Sequence, residues 1–337
     1  MKRKWAGANA VRVKLGLPAT WASLVGAAGS VLRSRGVNCD LTDVAGMSGY
    51  AFVVNIHPEL CPSGPTGFDW NLLVEGLSAL GLEVELAQAT HDGDSDDAEL
   101  VAELFERVRS EIDAGRACVV WGATDCPEFA VVYGYEDESY RVRSCRGLQA
   151  GMKPDRLLGP DEEPEPPVRF DELKAPGCVA AFLFGEPVRV DPEKADRNAL
   201  ARAAQLLGDR HAGLLPGFAH GAKAFSAWAE ALEAGRAQKF GNAYNAAVWQ
   251  EMQMFASGFC RRLAKRRERA AGPLDTAARL LAQSFAHLEA VVRAFPLPEG
   301  GEMDGRAEAG DSARRLRECA GLNERVVAAL EQALALV

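Results

Sequence analysis

No two of the eight cysteines in this 337-residue chain are spaced C-x-x-C. That excludes zinc knuckles and thioredoxin-type redox sites. Several thiols lie inside apolar runs such as "RACVVWG" and "GCVAAFLFG", the setting of buried, reduced cysteines in a cytoplasmic protein. Basic charge is also in short supply. Residues 1–190 hold 18 Lys and Arg against 29 Asp and Glu, residues 191–337 hold 20 against 18, and the formal net charge is −9. A net acidic surface disfavours phosphate backbones and anionic lipid, so nucleic acid and membranes are not expected partners. Internal repeats are missing too. What remains is an ordinary globular balance of 48% hydrophobic and 25% charged residues, in a length that suits two domains.

A basic start, "MKRKWAGANAVRVK", leads into an uncharged run from Leu15 to Leu32. A targeting segment or anchor is one reading of it. The run holds four Gly or Pro and many small residues, so a buried helix is the other. Thr20 is placed to cap a helix over about 21–34 that stops near Gly36. "AFVVNIH" (51–57) alternates like a strand, and "CPSGPTGFDW" (61–70) reads as a loop. A helix begun by Asp69 and closed by Gly81 follows, then the strand "LEVELAQA". Apolar residues at 98, 101, 104, 105, 108 and 112 mark a helix that Ser95 or Asp96 would cap. "ACVVWG", "EFAVVYGY" and "SYRVRS" are three strands, the last two joined across "EDE" as a hairpin. The Pro- and acid-rich stretch 153–177 is a surface excursion, and "CVAAFLFG" (178–185) is one more buried strand.

Beyond residue 190 the chain turns Ala-, Leu- and Arg-rich. Helices are expected near 195–207, 213–234, 241–270, 273–294 and 311–336, which gives domains at 1–190 and 191–337. Tyr244, Val248, Met252, Phe255 and Phe259 form one stripe and read as bundle core. The cations from 261 to 269 suit a helix C-terminus. Helices of this length could also pair in a homo-oligomer.

The order helix, loop, helix, strand, helix, then antiparallel strands, over roughly residues 18–185, resembles the papain-like fold. It is most similar to the bacteriocin-leader peptidase (C39-like) type and to the N-terminal domain of the butirosin biosynthesis acyltransferase. The expected fold class is therefore α+β, with a papain-like domain followed by an all-α bundle. In that group a Cys at a helix N-terminus is made a thiolate by the helix dipole and by a His. The His begins a strand of the form His-Phe-Val-Val-Val-x-Gly. Counting back from Gly36 puts Ser23 at the Cys position, and "EFAVVYGY" puts Glu128 at the His position. The chain also resembles a bacterial family marked by "NIHPELCPSGPT", "PEFxxVYGYxDE" and "GNAYNAxVWxEM", a likeness that implies no activity.

The departures define the expected function. A hydroxyl facing a carboxylate with an ordinary pKa of about 4.3 is not a thiolate–imidazolium pair. The resemblance then implies a domain that has lost the peptidase dyad and binds a small molecule, a peptide or an acyl-carrier partner in the former cleft. Trp21 beside Ser23, and Tyr133 on the Glu128 strand, would line that cleft. The alternative is a rearranged acyltransferase or hydrolase, with Ser23, Cys126 or Cys61 as nucleophile and Glu128 or His57 as base. Neither reading calls for a cofactor or a metal. A metal would draw on His57, Cys61 and Cys126, but Pro58 and Pro62 argue against a helical His57-x-x-x-Cys61 pair. "HDGDSDD" at 91–97 lacks the Gly and distal Glu of an EF-hand loop. His91 there is read as solvated, and His211, His220 and His287 have packing or surface roles. Asn242, Tyr244 and Asn245 cluster at a helix start beside Gly241. Asn242 is either its N-cap or, with the other two, a polar contact to a ligand or to the first domain.

Overall fold

The computed structural model describes residues 7–11, 20–90, 97–144, 165–301 and 306–337. It is a mixed chain with one large antiparallel sheet and several helices. Two compact units emerge: Met1–Val44 with Leu77–Arg189, and Ala45–Gly76 with Val190–Val337. The sequence reading divides the chain once, at 190/191. The structure divides between Arg189 and Val190 and groups residues 45–76 with the helical part.

In the first unit the sheet runs β3 (Leu82–Thr90), β8 (Cys178–Pro187), β4 (Cys118–Trp121), β5 (Phe129–Glu136), β6 (Ser139–Arg143) and β7 (Val168–Arg169). A short β1 (Ala8–Ala10) joins the β5 edge through Ala8 opposite Glu136 and Ala10 opposite Gly134. The β5–β6 hairpin turns at Asp137, whose φ is +48° and whose amide donates to the Gly7 carbonyl at 2.8 Å. Between Val132 and Gly134 the register slips, so Tyr133 is the extra residue of a β-bulge. Helix α1 (Ser23–Ser34) packs on β4 and β5, and α4 (Asp97–Asp113) packs on β3 and β8.

Every residue of α1 from Ser23 to Leu32 is buried. A helix this apolar and small-residued on all sides belongs inside a core, which accounts for the described part of the uncharged N-terminal run. No helix among the described residues is long and apolar enough to cross a membrane. The helix ends as expected at Gly36, where φ is +82° and the Val37 amide reaches back to the Leu32 carbonyl at 3.1 Å, a Schellman-type stop.

Two local expectations are corrected. "AFVVNIH" is not a seven-residue strand. It is a 3-10 turn at Tyr50–Phe52 and a two-residue strand β2 (Asn55–Ile56). Residues 50–56 are buried on every side, so the alternation read there does not separate a buried face from an exposed one. Ahead of it lies a helix the pattern gave no reason to expect, α2 (Leu41–Ser48). Its start is a reciprocal cap: the Asp43 amide donates to Asp40 Oδ1 at 3.1 Å, and the Asp40 amide donates to Asp43 Oδ2 at 3.3 Å. An aspartate fills the role that Glu or Gln has in a capping box.

The second unit holds α3 (Asn71–Ser78), α5 (Pro192–Leu207), α6 (Gly221–Glu233), α7 (Lys239–Arg266), α8 (Ala271–Ala294) and α9 (Arg306–Leu334), with β2 paired to β9 (Ala219–His220). Asp69 Oδ1 accepts the Asn71 amide at 3.0 Å and so starts α3 as read. Asp191 caps α5 by accepting from Glu193 and Lys194, with Pro192 as its first residue. Val248, Met252, Phe255 and Phe259 are buried on α7, as their stripe requires, while Tyr244 is half-buried. The helix read from 213 begins at Gly221 instead. The intervening residues form turns and β9.

His91 and most of "HDGDSDD", the caps Ser95 and Asp96, Cys145, residues 15–19 and residues 153–164 of the Pro-rich stretch lie outside the described residues.

Candidate functional site

Ser23 and Glu128 meet in the first unit. The sequence reading starts α1 at Trp21 under a Thr20 cap. In the structure the Thr20 hydroxyl is engaged by the Ala22 amide at 3.3 Å, Ala22 is the cap residue, and Ser23 is the first helical residue. No capping side chain serves that end, and the amides of a helix's first turn lack intrahelical acceptors. Ser23 Oγ therefore stands at the positive end of the α1 dipole.

A tight loop delivers Glu128 opposite it. Gly122 N–H donates to the Glu128 carbonyl at 2.9 Å, and Glu128 N–H donates to the Cys126 carbonyl at 2.8 Å. Thr124 Oγ1 accepts the Cys126 amide at 3.1 Å and lies 3.4 Å from the Cys126 thiol. At the end of this loop Ser23 Oγ donates to Glu128 Oε2 and accepts the Phe129 amide at 3.0 Å. Ser23 is only 6% exposed, and Glu128 is half-buried. The single hydroxyl proton goes to the carboxylate, and one lone pair is held by the backbone of β5. A carboxylate near a helix N-terminus is electrostatically favoured. In this arrangement the hydroxyl stitches α1 to β5.

Half-buried Trp21 lies two residues before Ser23 on the chain, half-buried Cys126 lies in the loop, and half-buried Tyr133 is the bulge residue of β5. The Phe129 amide and Thr124 are the partners that sequence reasoning missed. A main-chain donor leaves no trace in residue identity. Thr124 does carry a turn-forming signature in "ATDCPE".

A second constellation lies in the other unit, where "NIHPELCPSGPT" wraps the start of α7. Gln238 N–H donates to the Glu59 carbonyl at 3.4 Å, and Asn245 Nδ2 donates to the Cys61 carbonyl at 3.1 Å. A Cβ at Gly241 would lie 1.9 Å from the Leu60 carbonyl oxygen, so only glycine admits this approach. Leu60 is fully buried in the left-handed region at φ +51°, a conformation rare for a branched side chain. His57 Nδ1 accepts the Glu59 amide at 3.2 Å, and its ring stands edge-on to Phe218 at 5.4 Å. The Cys61 thiol pairs with Ser63 Oγ at 2.7 Å. Each group thus has a local partner, and the two are not hydrogen-bonded to each other among the described residues.

Asn242 is not the cap of α7. The helix starts three residues earlier with Gln238 as cap residue, and Asn242 Oδ1 accepts the Trp228 indole N–H at 2.7 Å. Asn242 and Asn245 are fully buried. Tyr244 stacks with the exposed Phe240 at 6.1 Å. Asn55, a polar residue inside an apolar run, was passed over in the sequence. It holds the loop by donating to the Gly64 and Gly67 carbonyls at 2.7 and 2.9 Å.

Cys39, Cys118, Cys260 and Cys319 are buried and structural. Burial pushes Cys39 up to about 11 and Cys260 and Cys319 to about 12, and it raises Cys118 further. Among the described residues no three His, Cys, Asp or Glu side chains are grouped to hold a metal ion. His211 Nδ1 accepts the Gly213 amide at 3.0 Å, and burial together with Arg202 lowers its pKa. His287 Nδ1 lies 3.2 Å from Glu318 Oε2, and His220 Nε2 bonds the Leu215 carbonyl at 3.0 Å. No protein-family model matches the chain, and no curated protein matches it.

Proposed function

We propose that the first unit is a papain-like domain of C39-like type in which Ser23 and Glu128 stand where a peptidase has its Cys and His, and that it acts by binding rather than by cleavage. The observation that carries this reading is the Ser23 hydroxyl, which donates to Glu128 and accepts the Phe129 amide. Those two bonds link the start of a buried helix to the start of a sheet strand, the juxtaposition that supports a thiolate in active relatives of the fold. With serine in place of cysteine the nucleophile is intrinsically weak. Here one of its lone pairs is also tied to the main chain.

The former cleft of this reading, with Trp21, Cys126, Glu128 and Tyr133 as its expected lining, would accept a small molecule, a peptide or the arm of an acyl carrier. Glu128 supplies the negative end, so a ligand with an amine or amide donor suits it best. The test has two arms. A thermal-shift screen of amines, short peptides and acyl-carrier proteins should return ligands whose shift disappears in Glu128→Ala. Incubation with a fluorophosphonate and with iodoacetamide should leave Ser23 unmodified and Cys126 no faster than a free thiol. Rapid modification of Ser23 or Cys126 would instead establish the acyltransferase or hydrolase alternative, for which Glu128 already accepts the Ser23 proton as a general base must.

A further inference from the structure

One face of α7 carries a line of buried polar groups that the protein satisfies only in part. Asn242, Asn245, Trp249 and Gln253 follow one another at i, i+3, i+7 and i+11, a single stripe of the helix. Asn55 of β2 belongs to the loop wrapped on the same stripe. All five residues are at most 2% exposed. Among the described residues five of their polar atoms have no hydrogen-bond partner: Asn55 Oδ1, Asn242 Nδ2, Asn245 Oδ1, Trp249 Nε1 and Gln253 Nε2.

Side-chain flips do not remove the mismatch at the three asparagines. The Trp228 indole can only donate, so the atom of Asn242 that accepts it at 2.7 Å is oxygen, and its amide nitrogen is the one left over. Asn245 donates to two carbonyls, those of Cys61 and Gly241 at 3.1 and 2.7 Å, which fixes its nitrogen and leaves its oxygen. Asn55 is fixed in the same way by the Gly64 and Gly67 carbonyls. Trp249 Nε1 has no alternative role. Buried polar groups are almost always paired, with protein or with internal water.

We infer that this seam is an internal hydration site holding two water molecules. The first accepts from Asn242 Nδ2 and donates to Asn245 Oδ1 and Asn55 Oδ1. The second accepts from both Trp249 Nε1 and Gln253 Nε2, one helical turn apart, and turns its protons toward helix carbonyls with a spare lone pair. The three orphaned donors and two orphaned acceptors use three of the four lone pairs and two of the four protons that two waters supply. The waters extend the attachment of residues 55–67 to α7, so the two sequence strings "NIHPELCPSGPT" and "GNAYNAAVWQEM" form one hydrated joint.

Nuclear magnetic resonance on the nitrogen-15-labelled full chain tests this, with Trp249→Phe identifying one indole signal among the six tryptophans. The Trp249 indole proton should show a cross-peak to water with the sign of a long-lived site. A slowly exchanging indole proton with no water cross-peak overturns the inference. Thermal melting of Gln253→Met gives an independent reading. Loss of a water-bridged donor should lower Tm by about 1–3 °C. An unchanged or raised Tm would mean that an unpaired donor had been removed from a dry seam, and that also overturns it.

Discussion

Replacing Gly241 by alanine separates close packing from helix propensity by the sign of its effect. Gly241 lies in the first turn of α7, and glycine to alanine inside a helix ordinarily stabilises by about 1 kcal/mol. Here the new Cβ would lie 1.9 Å from the Leu60 carbonyl oxygen and 2.9 Å from the Cys61 carbonyl carbon. Both are backbone atoms, so the loop must retreat by about 1–1.5 Å to reach ordinary contact. The loop is anchored by the Asn245–Cys61, Gln238–Glu59 and Asn55–Gly64 hydrogen bonds. Overpacking of this kind costs about 1–3 kcal/mol, and loss of one of those bonds adds about 1 kcal/mol. Against the propensity gain, the net expectation is a loss of about 2 kcal/mol. The matched control is Gly321→Ala, in the exposed middle of α9, where nothing lies within 4 Å of the new Cβ. It should gain about 1 kcal/mol. Urea titration followed by far-ultraviolet circular dichroism reads both midpoints. Opposite signs are expected. A midpoint for Gly241→Ala equal to or above the parent would refute the close approach of loop and helix.

Three further outcomes follow from the same reasoning. The buried thiols have folded-state values raised above the unfolded 9.0, so their contribution is intact below pH 9 and is lost as pH rises toward about 12. At pH 10, Cys118, Cys260 and Cys319 together should cost about 4 kcal/mol. A urea midpoint that does not move between pH 8 and pH 10 contradicts this. In a mass-spectrometric alkylation time course at pH 8, Cys61 and Cys126 should label before Cys39, Cys118, Cys260 and Cys319. Early labelling of any of the last four would show that their burial is wrong. Asp196 is 3% exposed and holds Arg266 at 2.8 Å and Arg267 at 2.9 Å, so Asp196→Asn should lower stability by about 3 kcal/mol. A urea-measured loss under about 0.5 kcal/mol would place the clamp among inconsequential surface pairs.

The strongly patterned elements were legible in the sequence because their physics is local. The period of α4, the acidic turn between β5 and β6 and the Gly36 stop each depend on residues within one or two turns. The strand at 51–57 was misread because the alternation of residues buried on all sides does not separate a buried face from an exposed one. The α2 cap was legible in principle, since Asp40 and Asp43 have capping-box spacing, but aspartate at the fourth position is the less familiar form. The pairing of Ser23 with Glu128, 105 residues apart in sequence, came from resemblance to a fold and not from periodicity. The joint between residues 55–67 and α7 had no such guide. Gly64, Gly241, Asn55 and Asn245 look like ordinary loop and helix-start residues until the two segments are seen together.

The account stands most directly on Ser23 and Glu128 occupying the positions of a thiol and an imidazole. Building that pair back tests it. In Ser23→Cys combined with Glu128→His, the thiol at 23 should be held as a thiolate by the imidazolium and the α1 dipole. Iodoacetamide at pH 6 should then alkylate it about ten-fold or more faster than the Ser23→Cys single variant. Equal rates in the two variants would mean that position 128 does not govern chemistry at position 23, and the papain-like reading of this domain would be wrong.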